Sequence, residues 1–386
     1  MTKCPNCFQS LTADAYAWVC TTGRCEQEED RLASRYAGVP VKLGTRYIER
    51  RPENHKGSWA PTREVSCPSC KEGMPDACPV CLYTLEPDWR SSETTCVAMN
   101  GARATGKSIY IAVAITQLRQ LIMMDNRTLG YANDYTRETF TTVYERPLLE
   151  AMRLMPPTPR SNTDNSYQRQ PLIFSIGSVK GVRRYLVVRD VAGEEMESPS
   201  PQSNHLDFLA HADGIFFMFD PLAVPSIRDR LVDLIPAQLQ LGGDPSVVLG
   251  NLLNILGKAA PRLSIVLSKF DALQVLRQVD DLEWSSIMSN AGAAFLRDPS
   301  EATIRYDEPD GELLHEEVKS LLEKLGAKSI IIDLENPPAG QKIPYRFFAV
   351  SALGESPNGR QISARGLAPF RALDPLKWVL SANGAI

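Results

Sequence analysis

Several things are missing from this sequence. No apolar run reaches the 18 or so residues that a membrane span needs; the longest, Gly214 to Val224, is broken by Asp220 and Pro221. Charge of one sign is not in excess either. The 42 basic and 46 acidic side chains leave a formal −4 over 386 residues, too balanced for the electrostatic footprint of a dedicated nucleic-acid binder. Histidine is scarce, and His55, His205, His211 and His315 are too scattered to suggest a catalytic triad or a metal cluster. The opening Met1-Thr2-Lys3-Cys4-Pro5 has no apolar h-region, which argues against secretion and for a cytoplasmic chain. Cysteine is absent after residue 96, so all nine lie in the first quarter of the chain. The remaining composition, 43% hydrophobic and 23% charged, is that of a folded soluble protein, and the length suggests two or three domains.

Eight of the nine cysteines form four short pairs: Cys4/Cys7, Cys20/Cys25, Cys67/Cys70 and Cys78/Cys81. Three of these read Cys-Pro-x-Cys. Such a turn lets two thiolates reach one tetrahedral Zn²⁺ at about 2.3 Å while backbone amides support the sulfurs. Disulfides are rare in a cytosolic chain, and a redox dithiol would come singly within a thioredoxin-like unit. Eight thiolates therefore make two closed, structural Cys4 sites. Sequence order favours local pairing: Cys4, Cys7, Cys20 and Cys25 in one, Cys67, Cys70, Cys78 and Cys81 in the other. A cross-braced arrangement, with outer and inner pairs exchanged, stays open. Structural zinc contributes about 10–16 kcal/mol of apparent binding energy, enough to fold a segment such as 26–66 that has little apolar periodicity. Its basic stretch, Lys42 to Arg63, reads as a solvated face.

After the cysteines, the strand-like run Thr94–Asn100 leads into Gly101, Ala102, Arg103, Ala104, Thr105, Gly106, Lys107 and Ser108, a full G-x-x-x-x-G-K-S, followed by a mostly apolar helix from Lys107 to about Met123. Strand, glycine loop and helix N-terminus are the context this motif needs. The loop amides form a nest for a β-phosphate. Lys107 would bridge β- and γ-phosphates, and Ser108 would ligate Mg²⁺. Cys96 lies in the strand and reads as a small buried apolar residue.

Three further elements select the nucleotide. The apolar run from Tyr185 ends in Asp190-Val191-Ala192-Gly193, a D-x-x-G in which Asp190 would hold Mg²⁺ through water and the Gly193 amide would sense the γ-phosphate. Leu263–Leu267 is followed by Ser268-Lys269-Phe270-Asp271. The Asp271 carboxylate can accept two hydrogen bonds from guanine N1 and N2, donors that adenine lacks, and a carboxylate left unpaired there discriminates by roughly 10⁴ or more. Tyr345–Val350 leads into Ser351-Ala352-Leu353, whose amides would contact guanine O6.

In this order, each after a β-patterned run, these motifs resemble the translation-factor and Ras-like class of P-loop GTPases over residues 94–385. The cysteine region, the GTPase motifs and the Arg371–Trp378 close are similar to the bacterial "double-GTPase" family. The resemblance implies an α/β fold, a mostly parallel sheet with helices on both faces, preceded by a small zinc-ribbon-like module. The expected division is 1–92 for the zinc module and 93–386 for the GTPase, with an insert at about 297–340. It also implies GTP or GDP, Mg²⁺ and two Zn²⁺ as bound groups, protein partners, and a molecular switch in a multi-component signalling or conflict system.

Pro171–Ile176 is expected as a strand antiparallel to the one ending at Asp190, and Gly214–Phe219 as a buried strand after a short helix near His205–Ala212. Helices are expected from Val224 to about Leu234, around Trp284–Leu296, over Gly311–Leu325 and after an Asp374 cap with Pro375 at the first helical position. Ala327–Asp333 reads as an additional strand. The insert is either an amphipathic decoration of the sheet or a docking surface. Glu194 stands where efficient small GTPases carry a water-orienting glutamine, so hydrolysis should be slow or partner-dependent. Thr158 and Thr163 are alternatives for a switch I ligand, and Arg160 and Arg103 for an arginine finger in cis. Two other readings compete: a GTP-bound scaffold that does not hydrolyse, and a zinc-ribbon P-loop ATPase acting on DNA.

Overall fold

The computed structural model describes residues 1–386 apart from 57–58, 62–63, 156–169, 200–203, 232–241, 279, 356, 358–360 and 364–365. Each Cys-Pro-x-Cys turn folds into the same hairpin. The residue after its second cysteine, Phe8, Lys71 or Leu82, takes a left-handed conformation with φ of 59°, 65° and 61°. That residue's amide donates to the carbonyl of the first cysteine at 2.9–3.0 Å, and the first cysteine's amide donates across the hairpin to Gln9, Glu72 or Tyr83. Between and around the hairpins run β1 (Ala15–Val19), β2 (Glu28–Glu29), α1 (Arg31–Ala37), β3 (Lys42–Leu43), β4 (Arg46–Arg50) and β5 (Asp76–Ala77). β4 and β5 flank β1, both antiparallel to it, while β2 and β3 form a separate ribbon. Asp30 caps α1 by accepting the amides of Leu32 and Ala33, and Gly38 ends it in the left-handed conformation. Among the described residues, little apolar material besides the cysteines holds this part together: Ala17, Val19, Ala33, Ala77 and Leu82 in one group, Trp18 and Met74 in another.

From residue 93 the chain alternates strands and helices. β6 (Glu93–Asn100), α2 (Lys107–Met124), β7 (Gly130–Tyr131) and α3 (Asp134–Thr139) come first. α3 continues as π-helical turns over Phe140–Glu150 around Pro147, which has no amide to donate. Then follow β8 (Leu172–Val179), β9 (Val182–Asp190), α4 (Gly193–Glu197), a 3-10 segment Asn204–His211, β10 (Gly214–Phe219), α5 (Pro225–Leu231) and α6 (Pro245–Leu256). The last part holds β11 (Arg262–Leu267), α7 (Phe270–Gln274), α8 (Leu282–Met288), α9 (Glu308–Lys324), α10 (Lys328–Glu335), β12 (Tyr345–Ala349) and α11 (Asp374–Ala382).

The seven-stranded sheet runs β12-β11-β10-β6-β9-β8-β7. The first five are parallel, whereas β8 is antiparallel to β9, as expected, and β7 to β8. β10 is buried at every position, which requires cover on both faces of the sheet. The parallel strands carry all their C-terminal ends to one edge, where open α/β sheets bind ligands. The cysteine hairpins are not separate from this core. Phe8, Leu85 and Trp89 pack within it, Trp89 stacks on Tyr185 at 4.6 Å, and its Nε1 donates to the Lys3 carbonyl at 2.9 Å.

Three local expectations need correction. The 327–333 segment is helix α10, with Ile330, Ile331 and Leu334 buried and Ile332 exposed. Three consecutive isoleucines favour a strand, but α6 and α9 provide a helical seat, and packing overrides propensity. The helix expected over Trp284–Leu296 stops at Met288 and resumes as a 3-10 turn at Ala294, with the Asn290 side chain accepting the Gly292 amide between them. Asp374 is the first residue of α11 rather than its cap, because its carboxylate pairs with Arg371 at 2.5 Å. Arg371, fully buried, also pairs with Asp310 at 2.8 Å and donates to the Ala294 and Arg297 carbonyls, tying the insert to α11. Leu314, Val318, Leu321 and Leu325 are all buried, and α9 packs on β12.

Candidate functional site

The phosphate-loop motif lies between β6 and α2 at the C-terminal edge of the sheet. Gly101 (φ 133°) and Gly106 (φ 85°) hold conformations that side chains resist, and a Cβ on Gly101 would collide with the Met218 carbonyl. Lys107 Nζ donates to the carbonyls of Gly101 and Ala102, both at 2.8 Å, and the Thr105 hydroxyl donates to Ala102 at 3.0 Å. Burial pulls the Lys107 pKa down, against the charges of Asp190 and Glu197.

Ser108 Oγ donates to Asp190 Oδ2 at 3.1 Å, joining the first turn of α2 to the end of β9. Burial pushes Asp190 up to about 6, although Lys107 and Ser108 oppose it. Its Oδ1 is buried with no hydrogen-bond partner among the described residues. An unsatisfied carboxylate oxygen beside a hydroxyl is a donor set suited to a hard divalent cation, so Ser108 and Asp190 fit Mg²⁺.

Gly193 lies directly against the loop: a Cβ there would collide with the Arg103 amide nitrogen and the Ala102 carbonyl. Glu194 reaches Arg103 Nη1 at 3.6 Å. Glu197, which no motif marks, takes three hydrogen bonds: from the Arg103 amide (3.0 Å), Arg103 Nε (3.0 Å) and the Gly243 amide (3.2 Å). Ala104 sits within the loop at φ 59°.

The second half of the site lies at the ends of β11 and β12. Asp271 accepts from the Ser351 hydroxyl at 2.6 Å, bridging 80 residues of sequence. Ser268 Oγ donates to the Phe219 carbonyl, and Lys269 Nζ pairs with Asp220 Oδ2 at 2.8 Å. Asp220 is buried at the end of β10; in the sequence it was legible only as a break in an apolar run. Ala352 and Leu353 follow Ser351, half-buried at the same edge. Thr158, Arg160 and Thr163 lie outside the described residues.

The cysteines do gather in two groups of four, but not by local pairing. The outer pairs, Cys4/Cys7 with Cys78/Cys81, form one cluster, and the inner pairs, Cys20/Cys25 with Cys67/Cys70, form the other. β1 carries the chain from the first cluster to the second and β5, paired beside it, brings the chain back, so the last hairpin returns to the first. Sulfur–sulfur distances of 3.4–3.7 Å match the edge of a tetrahedron with 2.3 Å bonds, about 3.8 Å, and none of the thiols is in a disulfide. The Asn6 and Val80 amides point at Cys4 and Cys78 sulfurs at 3.4 Å. In the inner cluster the Cys70 amide leads in holding the Cys67 thiol down to about 6. Each cluster can hold one metal ion.

Residues 95–325 match the Double-GTPase 2 family model. Over 387 residues, and the full length of both chains, the sequence is 46% identical to a Mycolicibacterium smegmatis protein named "Putative ESX-1 scaffolding and assembly protein SaeC". This chain belongs to the Double-GTPase 2 family, and that membership supports GTP binding. Among solved structures, a bacterial selenocysteine-specific elongation factor, EF-Sec, aligns at 14% identity and a TM-score of 0.28 over 75% of this chain and 28% of its own. The GTPase-like domain of S. cerevisiae Ski7, bound to GTP, aligns at 12% identity and a TM-score of 0.33 over 76% of this chain and 50% of its own. Among the described residues, no helix is long and apolar enough to cross a membrane.

Proposed function

We propose that this protein is a GTP-binding switch that serves as an assembly factor for a multi-protein machine, in the cytoplasm, with protein partners. The relative named for ESX-1 scaffolding and assembly supports the second half of that reading. In this reading residues 1–92 form a module held by two zinc ions and 93–386 the GTPase, with 297–340 as its insert. One observation carries the first half: the Ser108–Asp190 and Asp271–Ser351 pairs both lie at the C-terminal edge of the parallel strands, one suited to a cation on the phosphates and the other to a guanine.

On nucleotide entry, Lys107 exchanges the Gly101 and Ala102 carbonyls for phosphate oxygens while the loop amides hold the β-phosphate. Ser108 and Asp190 hold Mg²⁺, which when bound offsets the phosphate charge. Asp271 turns from the Ser351 hydroxyl to guanine N1 and N2, Ser268 and Lys269 shape the base pocket, and the Ser351, Ala352 and Leu353 amides face O6. Gly193 contacts the γ-phosphate. Glu194, paired with Arg103, cannot orient water as a glutamine does, so hydrolysis to GDP and phosphate is slow without a partner. The same pairing favours a second reading, a GTP-bound scaffold that does not turn over. Single-turnover hydrolysis with and without partner separates the two.

Titration with fluorescent GTP and ATP, on wild type and Asp271→Ala, tests the base assignment. GTP is expected to bind at least 100-fold tighter than ATP, with most of that margin lost in the variant. Equal affinities, indifferent to the substitution, would remove it.

A further inference from the structure

Among the groups that the function above leaves unused, Glu197 has the most telling surroundings. Its carboxylate sits where three N–H donors converge: the phosphate-loop amide of Arg103, the Arg103 side chain, and the Gly243 amide of a segment more than 40 residues away. Two backbone amides and a guanidinium around one pair of oxygens constitute an anion site. Here the anion is part of the chain. The glutamate is also near enough to Lys107 for its charge to raise the lysine pKa against burial.

Among the described residues, the backbone around this carboxylate is closely packed. Gly193 and Gly242 both press on the Arg103 stretch of the loop so closely that a Cβ on either would strike backbone, and a Cβ on Gly243 would touch the Glu197 carboxyl carbon. α4 is thus docked by its last residue on the same loop that must receive phosphate. Phosphate oxygens and the Glu197 carboxylate need the same donors and repel each other.

Building on the GTP reading above, we infer that Glu197 is a specificity-determining residue: an internal stand-in for the terminal phosphate, which a nucleoside triphosphate must expel and a diphosphate need not. Expulsion hands Arg103 from Glu197 to the γ-phosphate and undocks the end of α4. Arg103 therefore alternates between a carboxylate in the empty state and a phosphate in the loaded one. The apparent affinity for triphosphate is lowered by the fraction of molecules in which the carboxylate is docked.

The test is a titration of full-length wild type, Glu197→Gln, Glu197→Ala, Arg103→Ala and the Glu197→Ala/Arg103→Ala double variant with fluorescent GTP, GDP and ATP. Glu197→Ala should raise GTP affinity about tenfold and GDP affinity by less than about twofold, with Glu197→Gln in the same direction. Arg103→Ala should change GTP affinity little in the wild-type background, where it loses a phosphate contact but also loosens the plug. In the Glu197→Ala background it should weaken GTP about tenfold or more, a non-additivity that a merely structural role would not produce. An unchanged GTP-to-GDP ratio in both Glu197 variants, or strictly additive effects, would overturn the inference. Tightening of ATP and GTP alike would uphold Glu197 as a triphosphate competitor while removing the guanine assignment. Absence of nucleotide binding in every variant would overturn both.

Discussion

Arg189 donates from Nη1 to the backbone carbonyl of Asn6 at 2.6 Å. Asn6 lies inside the first Cys-Pro-x-Cys turn, and Arg189 immediately precedes Asp190 of the D-x-x-G motif. The guanidinium also covers the face of Phe208 at 3.8 Å, and Phe208 meets the edge of Phe8 at 5.1 Å. One buried side chain thus joins the outer cysteine cluster, the end of β9 and the 3-10 segment before β10. Burial pulls its pKa down to about 10, which leaves it charged at neutral pH.

Arg189→Met should therefore destabilise the protein by roughly 1–3 kcal/mol, through an unpaired Asn6 carbonyl and a lost cation–π contact, despite keeping the apolar stem. Urea denaturation at pH 7.5 measures this. A change within about 0.5 kcal/mol would mean that the contact is dispensable.

The two clusters should not be equivalent. The outer one is flanked by Phe8, Leu85 and Trp89, which pack in the core of the large sheet, whereas the inner one packs against Trp18 and Met74. Cys78→Ser and Cys25→Ser should each lower bound zinc from two to one per chain by elemental analysis. Cys78→Ser should also lower the melting temperature by about 5 °C or more and weaken GTP binding, while Cys25→Ser leaves GTP affinity within about twofold. Equal effects on GTP from both variants would show that the clusters act as one unit.

The sequence made the chemistry legible wherever it is carried by contiguous residues. Gly101–Ser108, Asp190–Gly193 and Ser268–Asp271 each fall at the end of a strand that their neighbours announce, since a buried parallel strand is a continuous apolar run. The cysteine pairs were equally plain, but their partners were not. Which pairs meet depends on β1 and β5 lying side by side, and β5 is only two residues long. Glu197 and Gly243 were invisible for the same reason: their meeting at the phosphate loop is a tertiary event between two segments without sequence signatures. α10 shows a different limit, because seven residues with three isoleucines fit either period until a neighbour decides.

Asp190 gives a prediction in which stability and function oppose each other. Its folded pKa, about 6, lies above the ordinary 3.8, so between those values the folded state binds the extra proton. Stability of the nucleotide-free protein should fall as pH rises from 4 to 6, and Asp190→Asn should lack that decline and be more stable at pH 7.5 by about 1–3 kcal/mol. The same variant should lose the Mg²⁺-dependent part of GTP affinity, since an amide is a poorer ligand for a hard cation. Denaturation without nucleotide, paired with GTP titration in Mg²⁺ and in EDTA, measures both. A nucleotide-free variant less stable than wild type would contradict the burial argument.

His315 gives a pH dependence of opposite sign, far from the nucleotide. Its Nδ1 accepts the amide of Phe347 at 3.0 Å, and its ring stacks on that of Phe347, holding α9 to the edge strand β12. Only a ring unprotonated at Nδ1 can accept, and burial lowers its pKa below 6.5 even though Glu316 and Glu312 oppose the shift. The folded state then binds fewer protons than the unfolded one as pH falls through that window. The contribution of this contact is fully present above pH 6.5 and is lost as pH drops through the folded value. His315→Gln keeps an acceptor without a titrating group. The stability difference between wild type and variant should be flat above pH 7 and should shift in favour of the variant as pH falls from 6.5 to 5. Denaturant midpoints taken every half unit of pH measure it. A difference that stays constant across the range would mean that the ring does not titrate there, and that α9 is held on β12 without it, by Leu314, Val318 and Leu321 and by the pairs of Arg346 with Glu308 and Glu312.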